Sequence, residues 1–219
     1  HTNDRRQRQM CIRDRDESYY LYIINTTISH NTADYGGGIY NYDAEMYLRH
    51  VTIAYNHAGD EGGGIYNDEY IYLNSSLIAE NTADSGGPDI YGSDTQDSEG
   101  YNLLGDDSDA SFNSSTGDII NPADALIDVL ADNQGYNQSI ALLAGSPAID
   151  AGDPASPYTI DQRTFGRVDG SPDIGAFEVG GSNPFCVAPT ATCKDIDLYL
   201  NETGVATLSP EDISDVSCT

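Results

Sequence analysis

The sequence predicts an all-β protein, a right-handed parallel β-helix whose short strands wind around a narrow apolar interior, followed by a truncated β-sandwich piece. Three observations predict the helix. Three segments align: IINTTISHNTADYGGGIYN (23–41), LRHVTIAYNHAGDEGGGIYN (48–67) and LNSSLIAENTADSGGPDIYG (73–92). Asn31, Asn56 and Asn81 lie 25 residues apart, as do Ile28, Ile53 and Ile78, and Ile23, Leu48 and Leu73. Ile39, Ile65 and Ile90 are spaced 26 and then 25. A fixed period in the twenties is the mark of a solenoid. The apolar runs are too short for helical periodicity, and they are β-branched or aromatic. Gly-Gly-Gly and Asn/Asp clusters punctuate each unit as tight turns. A leucine-rich repeat would need a recurring LxxLxL pattern, which is absent.

At one coil per ~25 residues, each coil pairs its backbone with the next about 4.8 Å away, and equivalent side chains form ladders. Ile28/Ile53/Ile78 and Ile39/Ile65/Ile90 are expected as interior ladders. Asn31/Asn56/Asn81 are expected as an amide ladder at a turn, in the left-handed conformation that Asn tolerates; ligand contact is the competing use. Tyr40, Tyr66 and Tyr91 stack as well, as a structural row or as a surface for sugar rings. Gly36–Gly38 and Gly62–Gly64 fit positive φ or close backbone approach. They do not make a phosphate loop, since no Lys-Ser/Thr follows. Asp34, Asp60 and Asp84 precede the glycines in all three coils. Stacked carboxylates repel, which would raise the pKa of at least one. They form a candidate calcium ladder, against the plainer reading that each caps its own turn.

The ends read differently. Residues 5–15, RRQRQMCIRDR, are what an in-frame translation of a transposase sequencing adapter gives, so 1–15 are expected to be translated library DNA and not part of the fold. The rival is a basic arm for nucleic acid or a membrane surface. The whole chain has a formal charge of −27. Without 1–15 its cations are Arg49, Arg163, Arg167 and Lys194, against 34 carboxylates. Such a surface repels phosphate backbones, which argues against nucleic-acid binding. No run reaches the ~18 apolar residues of a membrane span. Cys186, Cys193 and Cys218 fall near the C-terminus; an odd number points to a partner further downstream and to an oxidising compartment. The domain reading is 16–180 β-helix, 181–185 linker and 186–219 the start of another module.

The units NTTISHNTADYGGGIYN and VTIAYNHAGDEGGGIYN resemble the polymorphic outer membrane protein repeat, with its GG-[AG]-[IL]-Y signature; GGPDIYG departs from it. EGYNLLG (99–105), TGDI (116–119), LADNQG (130–135), SIALLAGSPAIDAGD (139–153), DQRTFGRVDG (161–170) and DIGAFE (173–178) follow in order. Together they resemble the C-terminal region of the choice-of-anchor Q type of bacterial β-helix protein. That resemblance implies a pectate-lyase-like solenoid, export and surface display, and no particular reaction. Residues 186–219 resemble the beginning of an HYR-like, immunoglobulin-type module.

The chemistry is sparse. A pectate-lyase-type site needs calcium-binding carboxylates beside a basic residue, and the coils hold one cation, Arg49, with no stacked partner expected. A polygalacturonase-type site needs GHG and RIK motifs, which do not occur. No carboxylate pair stands out for glycoside hydrolysis. His30, His50 and His57 occupy different repeat positions and do not read as a metal triad. The run DDSD (106–109) reads as a solvated loop before it reads as a calcium site. Arg163 and Arg167 among Asp161, Asp169 and Asp173 are expected to form bidentate pairs that cap the open end of the solenoid.

The expected function is that of a secreted or cell-surface adhesin-like or structural protein, extracellular or at the outer membrane. It is expected to be non-catalytic and to meet an extracellular glycan or protein. The alternatives are a carbohydrate-active β-helix enzyme with its site in upstream coils, and an inert stalk.

Overall fold

The computed structural model describes residues 20–167 and 170–182, apart from the side chains at 93–95. The adapter-like residues 1–15, Asp169, and the 186–219 module with Cys186, Cys193 and Cys218 lie outside the described residues. The described chain is all-β, with parallel sheets stacked as a solenoid of about three turns. The first coil holds β1 (Tyr20–Ile24), β2 (Thr27–Ser29), β3 (Thr32–Ala33) and β4 (Ile39–Asn41). The second holds β5 (Glu45–Arg49), β6 (Thr52–Ala54), β7 (His57–Ala58) and β8 (Ile65–Asn67). The third holds β9 (Ile71–Asn74), β10 (Leu77–Ala79), β11 (Thr82–Ala83) and the long β12 (Ile90–Ser98). The path continues through β13 (Leu103–Leu104), β14 (Ala110–Asn113) and β15 (Ile119–Ile120).

Every pairing among these strands is parallel. The registers realise the expected ladders: Ile28↔Ile53↔Ile78↔Leu104, Ile23↔Leu48↔Leu73 and Ile39↔Ile65↔Ile90. These side chains form one apolar cluster with Met46, Val51 and Ile71. Burying each Ile or Leu is worth roughly 1.5–3 kcal/mol.

The strands are short because they end at corners held in the left-handed region, two per coil by residues other than glycine and one by Gly36, Gly62 or Gly87. Asn25, His50 and Ser75 take this conformation between the first and second strands of their coils, and His30, Tyr55 and Glu80 between the second and third. The left-handed residue is thus the one before Asn31, Asn56 and Asn81, and not the asparagine itself. The asparagine contributes its side chain instead. Asn56 Oδ1 accepts from the backbone N–H and the Nδ2 of Asn31, both at 3.0 Å, and Asn81 Oδ1 accepts from the same two groups of Asn56, both at 3.0 Å. A primary amide both donates and accepts, so the pattern repeats along the solenoid axis.

The ladder must end on a group that only accepts, and GGPDIYG supplies it. Asp89 Oδ1 takes the Asn81 N–H (3.1 Å) and Nδ2 (2.8 Å), standing in for the amide oxygen of a further coil. Its Oδ2 takes the Asp106 N–H at 2.8 Å. The equivalent positions in the earlier coils are Gly38 and Gly64, where a Cβ would press on the ladder amides of Asn56 and Asn81. A second corner uses the same device: Asn102 Oδ1 accepts from Ser76 N, and Asp118 Oδ1 accepts from both N–H groups of Asn102. Burial pushes Asp89 up to about 7, against its three hydrogen bonds.

Residues 125–167 and 170–182 lie along the side of the stack, so Arg163 and Arg167 do not cap its open end as the sequence suggests. The antiparallel hairpin of β16 (Ile127–Ala131) and β17 (Ser139–Leu142) begins this flank. Ala125, Ile127, Ile140, Leu142, Ala148 and Ile174 pack on the outward residues Ala54, Leu77, Ala79 and Leu103. The sheet of β2, β6, β10, β13 and β15 is therefore covered on both faces, so β6 and β10 are buried at every residue. The flank is pinned from the third coil (Gly175 N–H to Ser75 O, 2.8 Å) to the first (Thr27 Oγ1 to Gln162 Oε1, 2.5 Å; Asn25 Nδ2 to Ile160 O, 2.9 Å).

Of its two arginines, Arg163 finds one of the expected acids, whereas Arg167 pairs with Glu178, which was not among them. Arg163 binds Asp161 at 2.7 Å and lies 3.7 Å from the Phe177 ring centroid, and Arg167 binds Glu178 at 2.9 Å. Arg167 also donates to Gly175 O and to Asn25 Oδ1 of the first coil. The buried His50 meets Ser156 at 2.7 Å; burial and the Arg167 charge push it down to about 3. Burial raises Glu178 to about 7, opposed by the Asp173 N–H and Arg167.

Two outcomes follow from the ladder. Asn56→Ala orphans donors and acceptors on both neighbouring coils and is expected to cost about 3 kcal/mol. Asn31→Ala, at the half-exposed end, should cost less; urea midpoints at unchanged m-value measure both. Asp89 is protonated more readily folded than unfolded, so its contribution is present below its ordinary pKa of 3.8 and is lost as pH rises through about 7. The stability of the native protein relative to Asp89→Asn should therefore fall between pH 5 and 7, by up to about 1.4 kcal/mol per pH unit. A difference constant across that range would place Asp89 among ordinary carboxylates.

Candidate functional site

Outward positions repeat as regularly as inward ones because successive residues of a strand alternate faces. Tyr40, Tyr66 and Tyr91 each follow an interior isoleucine and pair in register. Their rings stack with centroids 5.1 and 5.5 Å apart, as expected from sequence. A second row went unread: Tyr22, Tyr47 and Tyr72, flanked by interior residues of β1, β5 and β9, stack at 4.7 and 4.9 Å. These three are also 25 residues apart, so the signal was available. Strand β12 pairs with β8 at its start and with β9 at its end, which joins the two rows into one wall. Tyr20, Tyr42 and Tyr70 extend it and are 59%, 67% and 51% exposed.

Within each row the rings largely cover one another's faces and leave edges and phenol oxygens to solvent. That favours a structural row over a sugar-stacking surface, with each offset pair worth about 0.5–1.5 kcal/mol. Carboxylates are tied to the phenols. Tyr47 donates to Glu45 at 2.5 Å and Tyr35 to Asp60 at 2.6 Å. Burial and the neighbouring Asp68 raise Tyr66 to about 12, and the Glu61 carboxylate raises Tyr91. The phenols therefore stay neutral donors at physiological pH. Arg49 does have a partner, contrary to expectation: it forms an ion pair with Glu99 and lies 5.5 Å from the Tyr47 ring centroid.

The structure does not bring Asp34, Asp60 and Asp84 into one ladder. Register runs from the asparagine corners, and three residues on it aligns Asp34, Gly59 and Asp84. Asp34 and Asp84 thus sit two rungs apart, about 10 Å. Asp60 falls one position further along, between Tyr35 and Ser85, whose hydroxyls lower its pKa where like-charge stacking would have raised it. Among the described residues no group of three His, Cys, Asp or Glu is placed to hold a metal ion.

His30, His50 and His57 are likewise apart: His30 lies against Tyr55, His50 under the flank, and His57 beside Thr82. In the DDSD run, Asp106 binds Ser108 N–H within its own turn, while Asp107 binds Asn121 and Asp109 binds Gly87 N–H across to neighbouring segments.

The fold and the wall define a parallel β-solenoid that presents repeated outward ladders. Residues 25–42, which run from the first corner through the first glycine turn and β4, match the model of the Chlamydia polymorphic membrane protein repeat. The chain is thus a solenoid with a repeat like that of the polymorphic membrane proteins, which are typically surface or outer-membrane proteins. Comparisons with curated proteins and with solved structures give no match.

With Asp34 and Asp84 separated by Gly59, calcium titration is expected to leave the melting temperature unchanged. A rise that Asp34→Asn and Asp84→Asn abolish would restore the calcium ladder.

Proposed function

We propose that this chain is part of a secreted or cell-surface adhesin-like protein that binds through the side of its solenoid and does not catalyse. The observation that carries this reading is the two-row tyrosine wall, repeated on successive coils, with Glu45 and Glu61 bonded to its phenols. The repeat match supports a surface or outer-membrane location. The ordered motifs from EGYNLLG to DIGAFE support a choice-of-anchor Q type of terminal region, with 186–219 opening an HYR-like module and 1–15 read as translated adapter. The buried Arg163–Asp161 and Arg167–Glu178 pairs belong to the flank in this reading and carry no ligand.

The test is incubation with neutral and acidic polysaccharides in the presence of calcium, following their size distribution by chromatography. Chains of unchanged length are expected. Shortened chains would overturn the non-catalytic reading and favour a carbohydrate-active enzyme.

A further inference from the structure

The tyrosine wall is acidic as well as aromatic. Asp43, Glu45, Asp68, Glu69, Asp97 and Glu99 lie on its strands and on the turns that join them. Among the described residues the only cations besides Arg49 are Arg163 and Arg167, and both are committed to the flank. One part of the wall already holds a cation. The Arg49 guanidinium lies near the Tyr47 ring and pairs with Glu99 of the next strand stack position but one, so a planar cation fits between ring and carboxylate here. The position is not repeated: Arg49 is aligned with Ile24 below and Asn74 above. The rest of the wall offers the same rings and acids with no such cation among the described residues.

We propose that the wall docks an arginine-rich polypeptide segment, whose guanidinium groups repeat along it the arrangement that Arg49 makes with Tyr47 and Glu99. This rests on the binding reading above and names its partner class. A single metal ion would need acids converging on one point, whereas these are strung along the coils between rings. Stacked rings cover the faces a sugar would need, but they leave edges, phenol oxygens and the exposed Tyr20, Tyr42 and Tyr70 to a flexible chain. Arginine suits the site better than lysine because its planar group stacks on the exposed rings of Tyr20, Tyr42 and Tyr70, outside the covered faces of the rows, and binds carboxylate in two-pronged fashion.

A protein of this charge attracts any polycation weakly, so the test separates the wall from the bulk field. The probe is a fluorescent peptide of alternating arginine and glycine, titrated by anisotropy at physiological salt. Three variants are compared with the native chain. One neutralises the wall (Asp43→Asn, Glu45→Gln, Glu69→Gln). One removes the same charge from the exposed flank (Asp124→Asn, Asp128→Asn, Asp132→Asn). One removes exposed rings at constant charge (Tyr42→Ser, Tyr70→Ser).

The wall variant should weaken binding about ten-fold and the ring variant about five-fold, with little change in the flank variant. A lysine-glycine peptide should bind more weakly than the arginine probe. Equal losses in the wall and flank variants, or no loss in the ring variant, would overturn the proposal and leave only diffuse attraction. Such a failure would leave the non-catalytic reading standing, because shortened polysaccharide is what defeats that one. Melting temperatures near that of the native chain confirm that the surface variants fold.

Discussion

Each coil must offer its backbone to the next in register, and at the corners, where strands stop, that requirement falls on side-chain amides. A left-handed residue turns the chain at His30, Tyr55 and Glu80, and the asparagine that follows ties its coil to the next through one shared oxygen. Non-glycine residues pay strain in that conformation, of order 1–2 kcal/mol each, and the buried hydrogen bonds of the ladder offset it. Because the amide is directional, the ladder has a polarity and needs an acceptor at its far end. Asp89 and Asp118 serve as such acceptors at two different corners. The change from GGGIY to GGPDIY is therefore the chemical termination of an array and not decay of the repeat.

The flank solves a second problem. A parallel sheet is comfortable only when both faces are covered, and the sheet containing β6 and β10 turns leucine and alanine outward as well as isoleucine inward. Residues 125–182 cover it. The flank has little regular structure of its own, so its polar groups are satisfied by a compact set of charges: Asp161 on Arg163, Glu178 on Arg167, and Asp173 on the N–H groups of Asp150 and Val179. His50 is buried neutral and favours higher pH, whereas Glu178 and Asp89 have raised pKa values and favour lower pH. The three oppose one another between about pH 4.5 and 6.5, which moderates the pH dependence of the fold.

The wall follows from the same stacking rule as the core. Once Ile39, Ile65 and Ile90 are locked inward, Tyr40, Tyr66 and Tyr91 are forced outward at the coil spacing, and the rows anchored by Leu48 and Leu73 do the same for Tyr47 and Tyr72. Aromatic rings at that spacing stack face to face, so the repeat that builds the interior also decides which part of each ring a partner can reach.

The period by itself determined the solenoid, its interior ladders, the asparagine ladder and one tyrosine row, because each depends only on a residue and its copy one coil later. The second tyrosine row was equally legible, with the same spacing of 25. Tertiary structure decided the rest. The glycine turns suggested that Asp34, Asp60 and Asp84 align, but register is set at the asparagine corners, and the insertion of Gly59 moves Asp60 out of line. The flank joins Asn25 to Ile160 and Thr27 to Gln162. No spacing announces such contacts. A repeat encodes its neighbours one coil away, whereas a segment that occurs once is placed by whichever uncovered apolar surface it can bury.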